Sequence, residues 1–227
     1  MRQIFLDTET TGLYPDQGHR VIEIAAVEMI NRRPTQNHFH VYLNPDREID
    51  AAAQEVHGIT LEFLQDKPRF DAIVDEFTRF IKDAELIIHN APFDVGFLNA
   101  ELGRIGLQPI QKLCDKITDT LKMAKDARPG QRNNLDALCR HFGIDNSKRT
   151  LHGALLDAEL LAEVYMAMTR GQDSLLMDLQ QTKETQTQQV LQQHHAVQIK
   201  VLSAESEELV AHAAYLDGLK KAGAQPW

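Results

Sequence analysis

Cysteine is nearly absent: the 227 residues contain two, Cys114 and Cys139, each inside an apolar stretch and neither near a second Cys or His at zinc-ligand spacing. That excludes a disulfide framework and a thiolate zinc site, and both read as reduced core thiols. Long hydrophobic runs are missing as well, none approaching the ~20 residues of a membrane-crossing helix. Met1 leads into a strand-like run with no basic segment followed by an apolar one, so a cytoplasmic location is the expectation. Positive charge is also short, with 24 Lys and Arg against 33 Asp and Glu, a net charge of −9. A broad basic surface for gripping nucleic acid is therefore excluded, because nonspecific affinity comes mainly from neutralised phosphates. Any such contact must be local, supplied by metal ions in an acidic cleft or by a tethered partner.

What remains is an ordinary folded composition, 43% hydrophobic and 25% charged, of a length that suits one domain with a small appendage. Gln3 to Asp7, Val21 to Ile30 and His38 to Leu43 are β-prone runs separated by turn-like segments, which predicts three neighbouring strands. Phe70, Ile73, Val74, Phe77, Phe80 and Ile81 then recur at helical spacing. Leu86 to His89 reads as a strand, Asn90-Ala91-Pro92 as a tight turn, and Phe97, Leu98, Leu102 and Ile105 as the stripe of a second helix. Asn134 is an N-cap for a helix over Leu135 to Phe142, with Gly143 as its stop, and Ala154 to Met168 forms another. Strands first and then alternation with helices implies an α/β sheet with helical layers.

Composition changes after Gly171. Gln180 to Gln193 is dominated by Gln and Thr, with too few apolar residues to offset the entropy of ordering it. The sequence thus divides into a domain over 1–171, a flexible linker over 172–195 and a tail over 196–227. Some twenty linker residues span about 25 Å, from ~5–6 Å times the square root of length. In the tail Val197 to Leu202 is β-prone and Glu205 to Lys221 is helical, with acids first, Lys220 and Lys221 last, and Gly223 after. Leu209, Val210, Ala213, Leu216 and Leu219 form an apolar stripe that so short a tail cannot bury alone, so it needs either the main domain or a partner protein, and the long linker favours the partner.

The chemistry lies in scattered acids. Alternate side chains of a strand share a face, so Asp7 and Glu9 at the end of the first strand point one way and Thr8 the other. Two like charges that close repel, and a divalent cation bound by hard oxygen ligands offsets the repulsion. Asp94 falls at the start of a helix, and His152 precedes the helix that carries Asp157. Five helical residues turn the chain through about 140° at ~3.6 residues per turn, so His152 belongs to a loop, permitted by Gly153, if both are to face one site. Taken singly, each piece has a structural explanation: a solvated strand end, a helix cap, a loop histidine.

Together they resemble a family. FLDTETTGL, HNAPFDVGFLNAEL and HGALLDAELLAEVY, in this order and spacing, are similar to the three motifs of the DEDDh 3′→5′ exonucleases. The likeness is greatest to the proofreading exonucleases of bacterial DNA polymerase III, and runs from Arg2 to Thr169 through VIEIAAVEMINRR, HVYLNPDR, VHGIT and LDALCRHFGIDNSKRTLHGALLDA. It implies a ribonuclease-H-like mixed sheet with flanking helices and two divalent ions, Mg²⁺ or Mn²⁺, held by Asp7, Glu9 and Asp157, with Asp94 acting through water. It also implies His152 as general base and a DNA 3′ end as substrate, contacted by Asp7, Glu9, Asp157 and His57. In-line phosphodiester hydrolysis suits this set, since two metals stabilise both attacking and leaving oxygens and a histidine of ordinary pKa takes a proton at neutral pH.

For His57 an ordinary loop histidine is an equal reading. Ala51-Ala52-Ala53 stands where many relatives carry a carboxylate, so Ala52 makes no such contact, and Phe93 reads as core rather than as a base-stacking ring. Gln172 to Met177 resembles short peptides that dock on a sliding clamp. The tail over 196–227 corresponds in layout to the segment by which such exonucleases bind the polymerase III alpha subunit, and a small accessory subunit is a further partner. The catalytic residues leave a free-standing RNA exonuclease of the same fold open, and a non-catalytic scaffold is the remaining alternative.

Overall fold

A computed structural model describes residues 1–147, 149–170 and 206–221. The chain divides into two units, Met1–Leu176 and Met177–Trp227. The first is built on a five-stranded mixed sheet of order β3-β2-β1-β4-β5. Its strands are β1 (Arg2–Thr10), β2 (Val21–Ile30), β3 (Arg33–Tyr42), β4 (Glu85–Ile88) and β5 (Lys116–Asp119). β1, β2 and β3 are antiparallel neighbours, whereas β4 runs parallel to β1 and β5 parallel to β4. The helices are α1 (Ala51–His57), α2 (Leu61–Leu64), α3 (Phe70–Ile81), α4 (Ala91–Arg104), α5 (Thr120–Ala127) and α6 (Leu135–Phe142). A seventh, α7, spans 154–170.

Strand alternation sorts the core into two layers. Ile4 and Leu6 face a cluster completed by Phe70, Phe77, Phe97 and Leu98 of α3 and α4. Phe5 faces the opposite way, onto Leu138 of α6 and Leu161 and Val164 of α7. Each fully buried side chain of this size contributes about 1.5–3 kcal/mol, which fixes the register of β1 and with it the face on which its polar residues emerge.

Several expectations are met by their stated causes. α3 buries Phe70, Ile73, Val74, Phe77 and Ile81. The Asn134 side chain accepts the Ala137 N–H at 2.9 Å, and Gly143 closes α6 in a left-handed conformation, φ 69°. Cys139 is buried and Cys114 partly so, both as free thiols. Other elements are longer than expected or new. β1 does not end at Asp7: antiparallel pairing with β2 continues through Asp7↔Ala25 and Glu9↔Glu23, so both acids lie within the strand. β3 begins at Arg33 rather than His38, because Asn31 and Arg32 both take positive φ, 50° and 63°, and form a hairpin turn that keeps the strands in step. β5, α1, α2 and α5 were not expected. β5 is a four-residue edge strand, and Asp119 opens α5 by accepting the Leu121 and Lys122 N–H groups.

In the second unit the described part is α8 (Ser206–Lys221), with Glu207 and Glu208 in its first turn. Leu209 and Val210 are exposed on it and Leu216 is half-buried. The linker, the Gln172 to Met177 peptide and the Val197 to Leu202 strand lie outside the described residues. Among the described residues no helix is long and apolar enough to cross a membrane.

Candidate active site

The site begins where one strand outruns its neighbour. β4 pairs with β1 only from Gln3↔Glu85 to Leu6↔Ile88, so from Asp7 onward β1 has no strand on that side. The chain leaving β4 turns away at Asn90, in left-handed conformation with φ 66°, and enters α4 with Pro92 in its first turn. That elbow is tied to β5 by the Asn90 N–H, which donates to Asp119. A cleft of about 810 Å³ opens here, at the carboxyl ends of the parallel strands. Asp7, Glu9, His57, Asp94, His152 and Asp157 all line it.

Asp94, in the first turn of α4, is buried and accepts a 2.7 Å hydrogen bond from Thr8 Oγ1. Thr8, which sequence alternation turns away from Asp7 and Glu9, is thus the group that holds Asp94 against β1. Asp157 is buried in the first turn of α7. That helix is fixed to the sheet by Glu23, a buried carboxylate of β2 that accepts both the Ala154 N–H and the His40 ring. His152 lies in the loop before α7 and its backbone N–H donates to Val56 O at 3.1 Å. One ligand atom each from Glu9, His152 and Asp157 falls within 4.8 Å of the others, a spacing that suits a metal ion.

The electrostatics are those of an acidic cluster short of cations. Burial, then Asp94, Glu9 and Asp157, raises the Asp7 carboxyl well above its ordinary range. Glu9 is pushed up to about 8 by burial and by Glu23, Asp157 and Asp94. Asp94 is pushed up to about 7, chiefly by burial, with the Thr8 hydrogen bond opposing. Burial and the nearby Arg149 lower the His152 imidazole, and burial lowers His57. His57 is held by the Ile59 N–H, which donates to Nδ1 at 3.0 Å, while its buried Nε2 has no hydrogen-bond partner among the described residues. Ala52 and Ala53 line the cleft without a carboxylate, and Phe93 both packs on Phe97 and faces the cleft.

Arg149 is the principal residue that the sequence reading missed. Its guanidinium donates to both oxygens of Asp157, to Asp136 Oδ1 at 3.0 Å and to His152 Nδ1 at 2.9 Å. The signal was available: a cleft lined by this many carboxylates needs a cation, and Arg149 stands three residues before His152 in KRTLHG.

The profile of the exonuclease family of the RNase T type matches residues 4–165. The chain belongs to this exonuclease family. It is 52% identical to DNA polymerase III subunit epsilon of Salmonella typhimurium over 98% of this chain and 95% of that protein. Against the subunit of the same name in Escherichia coli K12 it is 50% identical over 98% and 95% of the two chains. Among solved structures, exonuclease X in complex with 5′-overhanging duplex DNA superposes with a TM-score of 0.58 at 24% identity, covering 74% of this chain and 92% of that one. The nuclease domain of 3′hExo, a DEDDh family member bound to rAMP, gives 0.65 at 18%, over 75% and 92%. These last two likenesses establish the fold: the mixed sheet is the ribonuclease-H-like sheet of such exonucleases.

Proposed function

We infer that the chain is the proofreading 3′→5′ exonuclease of a bacterial DNA polymerase III, removing nucleoside monophosphates from DNA 3′ ends. The observation that carries this is the identity of about half over nearly the full length of the epsilon subunits, joined to a cleft in which the motif acids converge. The donor set fits hard divalent cations, Mg²⁺ or Mn²⁺: the carboxylates are oxygen ligands packed close enough to raise one another's pKa. Asp7, Glu9 and Asp157 would hold the ions, with Asp94 assisting through water. Bound there, the ions supply Lewis-acid stabilisation of the attacking and leaving oxygens.

The chain's own groups do the rest. His152, half-exposed on the cleft, takes the proton of the attacking water at its unprotonated ring nitrogen. His57 carries its proton on Nε2, because Nδ1 accepts the Ile59 N–H, and donates it as a hydrogen bond to the terminal nucleotide. With a net charge of −9 the enzyme gains its substrate by tethering: the tail over 196–227 binds the alpha subunit, Gln172 to Met177 docks on the sliding clamp, and the linker over 172–195 sets the effective concentration. The assembly is cytoplasmic.

Purified protein incubated with end-labelled single-stranded DNA and RNA, with and without Mg²⁺, tests the reading. DNA should shorten from its 3′ end only with metal, and Asp7→Ala should eliminate that release. Full activity in the Asp7→Ala protein, or a preference for RNA, would contradict the assignment. Deleting the residues after Gly171 should leave hydrolysis intact and abolish co-elution with the alpha subunit.

A further inference from the structure

Arg149 makes a combination of contacts that the reaction cannot use as it stands. An arginine only donates, so His152 Nδ1, which faces Arg149 Nη2 at 2.9 Å, must carry the lone pair, and the proton of the neutral ring sits on Nε2. The sole acceptor of the candidate base is thereby occupied. The same Nη2 also donates to Asp157 Oδ2 at 2.7 Å, and Nε donates to Oδ1, so one planar guanidinium engages both oxygens of that carboxylate. It stands where Glu9, His152 and Asp157 offer atoms within 4.8 Å of one another for a cation.

We propose that Arg149 is a resting-state clamp: it supplies the positive charge of the site until divalent metal binds Asp157, and its release to Asp136 frees the His152 lone pair. Three features support the exchange. Asp7, Glu9, Asp94 and Asp157 all sit on β1, α4 or α7, whereas Arg149 comes from the connection between α6 and α7, whose described residues form no helix or strand. A second partner is already in place, since Arg149 Nη1 donates to Asp136 Oδ1, whose side chain is 42% exposed and can keep the guanidinium beside solvent. Asn146 Nδ2 donates to the same oxygen, at 2.9 Å, and ties Asp136 to the connection that carries Arg149. Proton acceptance thus becomes possible only once the metal is present. A guanidinium is a hard-wired cation that no pH near neutrality removes, so metal is the natural competitor for Asp157.

This rests on the metal-dependent reading above, and titration calorimetry with Mn²⁺ on the full chain separates the two. The unsubstituted chain should bind Mn²⁺; no uptake would overturn the metal reading itself and the clamp with it. Arg149→Gln should lower the unfolding midpoint in EDTA, because the acids lose their internal counter-ion, yet bind Mn²⁺ about tenfold more tightly, the equivalent of one competing contact removed. Unchanged or weaker binding would mean that Arg149 is a fixed support of Asp157, and the clamp would be wrong. Arg149→Lys keeps the charge without the planar fork; it should also bind Mn²⁺ more tightly, and it decides the matter if the glutamine variant does not fold. Asp136→Asn removes the retreat and should weaken Mn²⁺ binding about threefold without lowering the EDTA midpoint. Binding equal to the unsubstituted chain would overturn the exchange.

Discussion

The two sides of the cleft are made of different material. Asp7, Glu9 and Asp94 project from the interior of a strand and the first turn of a helix, over buried apolar layers. His152 and Arg149 come from the irregular connection before α7, and the His152 side chain is 46% exposed against 4% for Asp157. Groups that must hold a fixed geometry sit on regular elements, and groups that exchange partners or protons sit on a loop. The comparison predicts that changes on the first side cost stability and rate together, while a change at the exposed His152 on the second costs rate alone.

With the four acids left in place, the largest effect should come from the loop side. His152→Ala should lower kcat by about 10²–10⁴-fold, the usual contribution of a general base, with the melting temperature unchanged; a melting temperature that fell with the rate would erase the distinction. On the framework side, Thr8→Val removes the hydrogen bond to Asp94. It should cost stability of about 1.5–3 kcal/mol, the range for a bond to a charged group, measured by denaturant unfolding with Mg²⁺ present, together with a loss of rate. A rate loss with no stability change would break the framework side of the comparison.

A third measurement concerns the charge on that framework. The folded-state pKa of Glu9, about 8, lies above its ordinary carboxylate value. Between the two the native protein keeps a proton that the unfolded chain has lost, so the metal-free protein is stabilised at the acid end and loses stability as pH rises toward about 8. The slope per proton is at most about 1.4 kcal/mol per pH unit, and Mg²⁺ or Glu9→Gln should flatten it. A metal-free stability that rises over this window would refute the crowding of acids. The smallest effect concerns a lining residue outside the acid cluster: Asn134→Ala loses the α6 cap and should cost about 1 kcal/mol of stability in denaturant unfolding.

Much of this was legible because it is periodic. Residues 70–81 repeat at helical spacing and form α3, the Asn134 and Gly143 signals bound α6, and the alternation around Phe5 sets the face of Asp7 and Glu9. What escaped has no period to read. β5 is four residues with Ile117 as its one large apolar side chain, and it exists because β4 offers it an edge. Arg149, Glu23 and Thr8 lie within the stretches that carry the resemblance, but spacing gives no sign of what they bind; their roles come from partners 8, 131 and 86 residues away in the chain. Sequence spacing shows which residue types recur, and only the fold shows which of them must share a charge.

The nine residues of β1 lie beside only four of β4, and that inequality is the origin of the cavity. Two more residues of pairing past Ile88 would extend the ladder across Asp7 and Thr8, carry Asp94 away on a displaced α4 and fill the opening with backbone. The length of a strand that takes no part in the chemistry therefore sets whether this fold is an enzyme or a closed sheet.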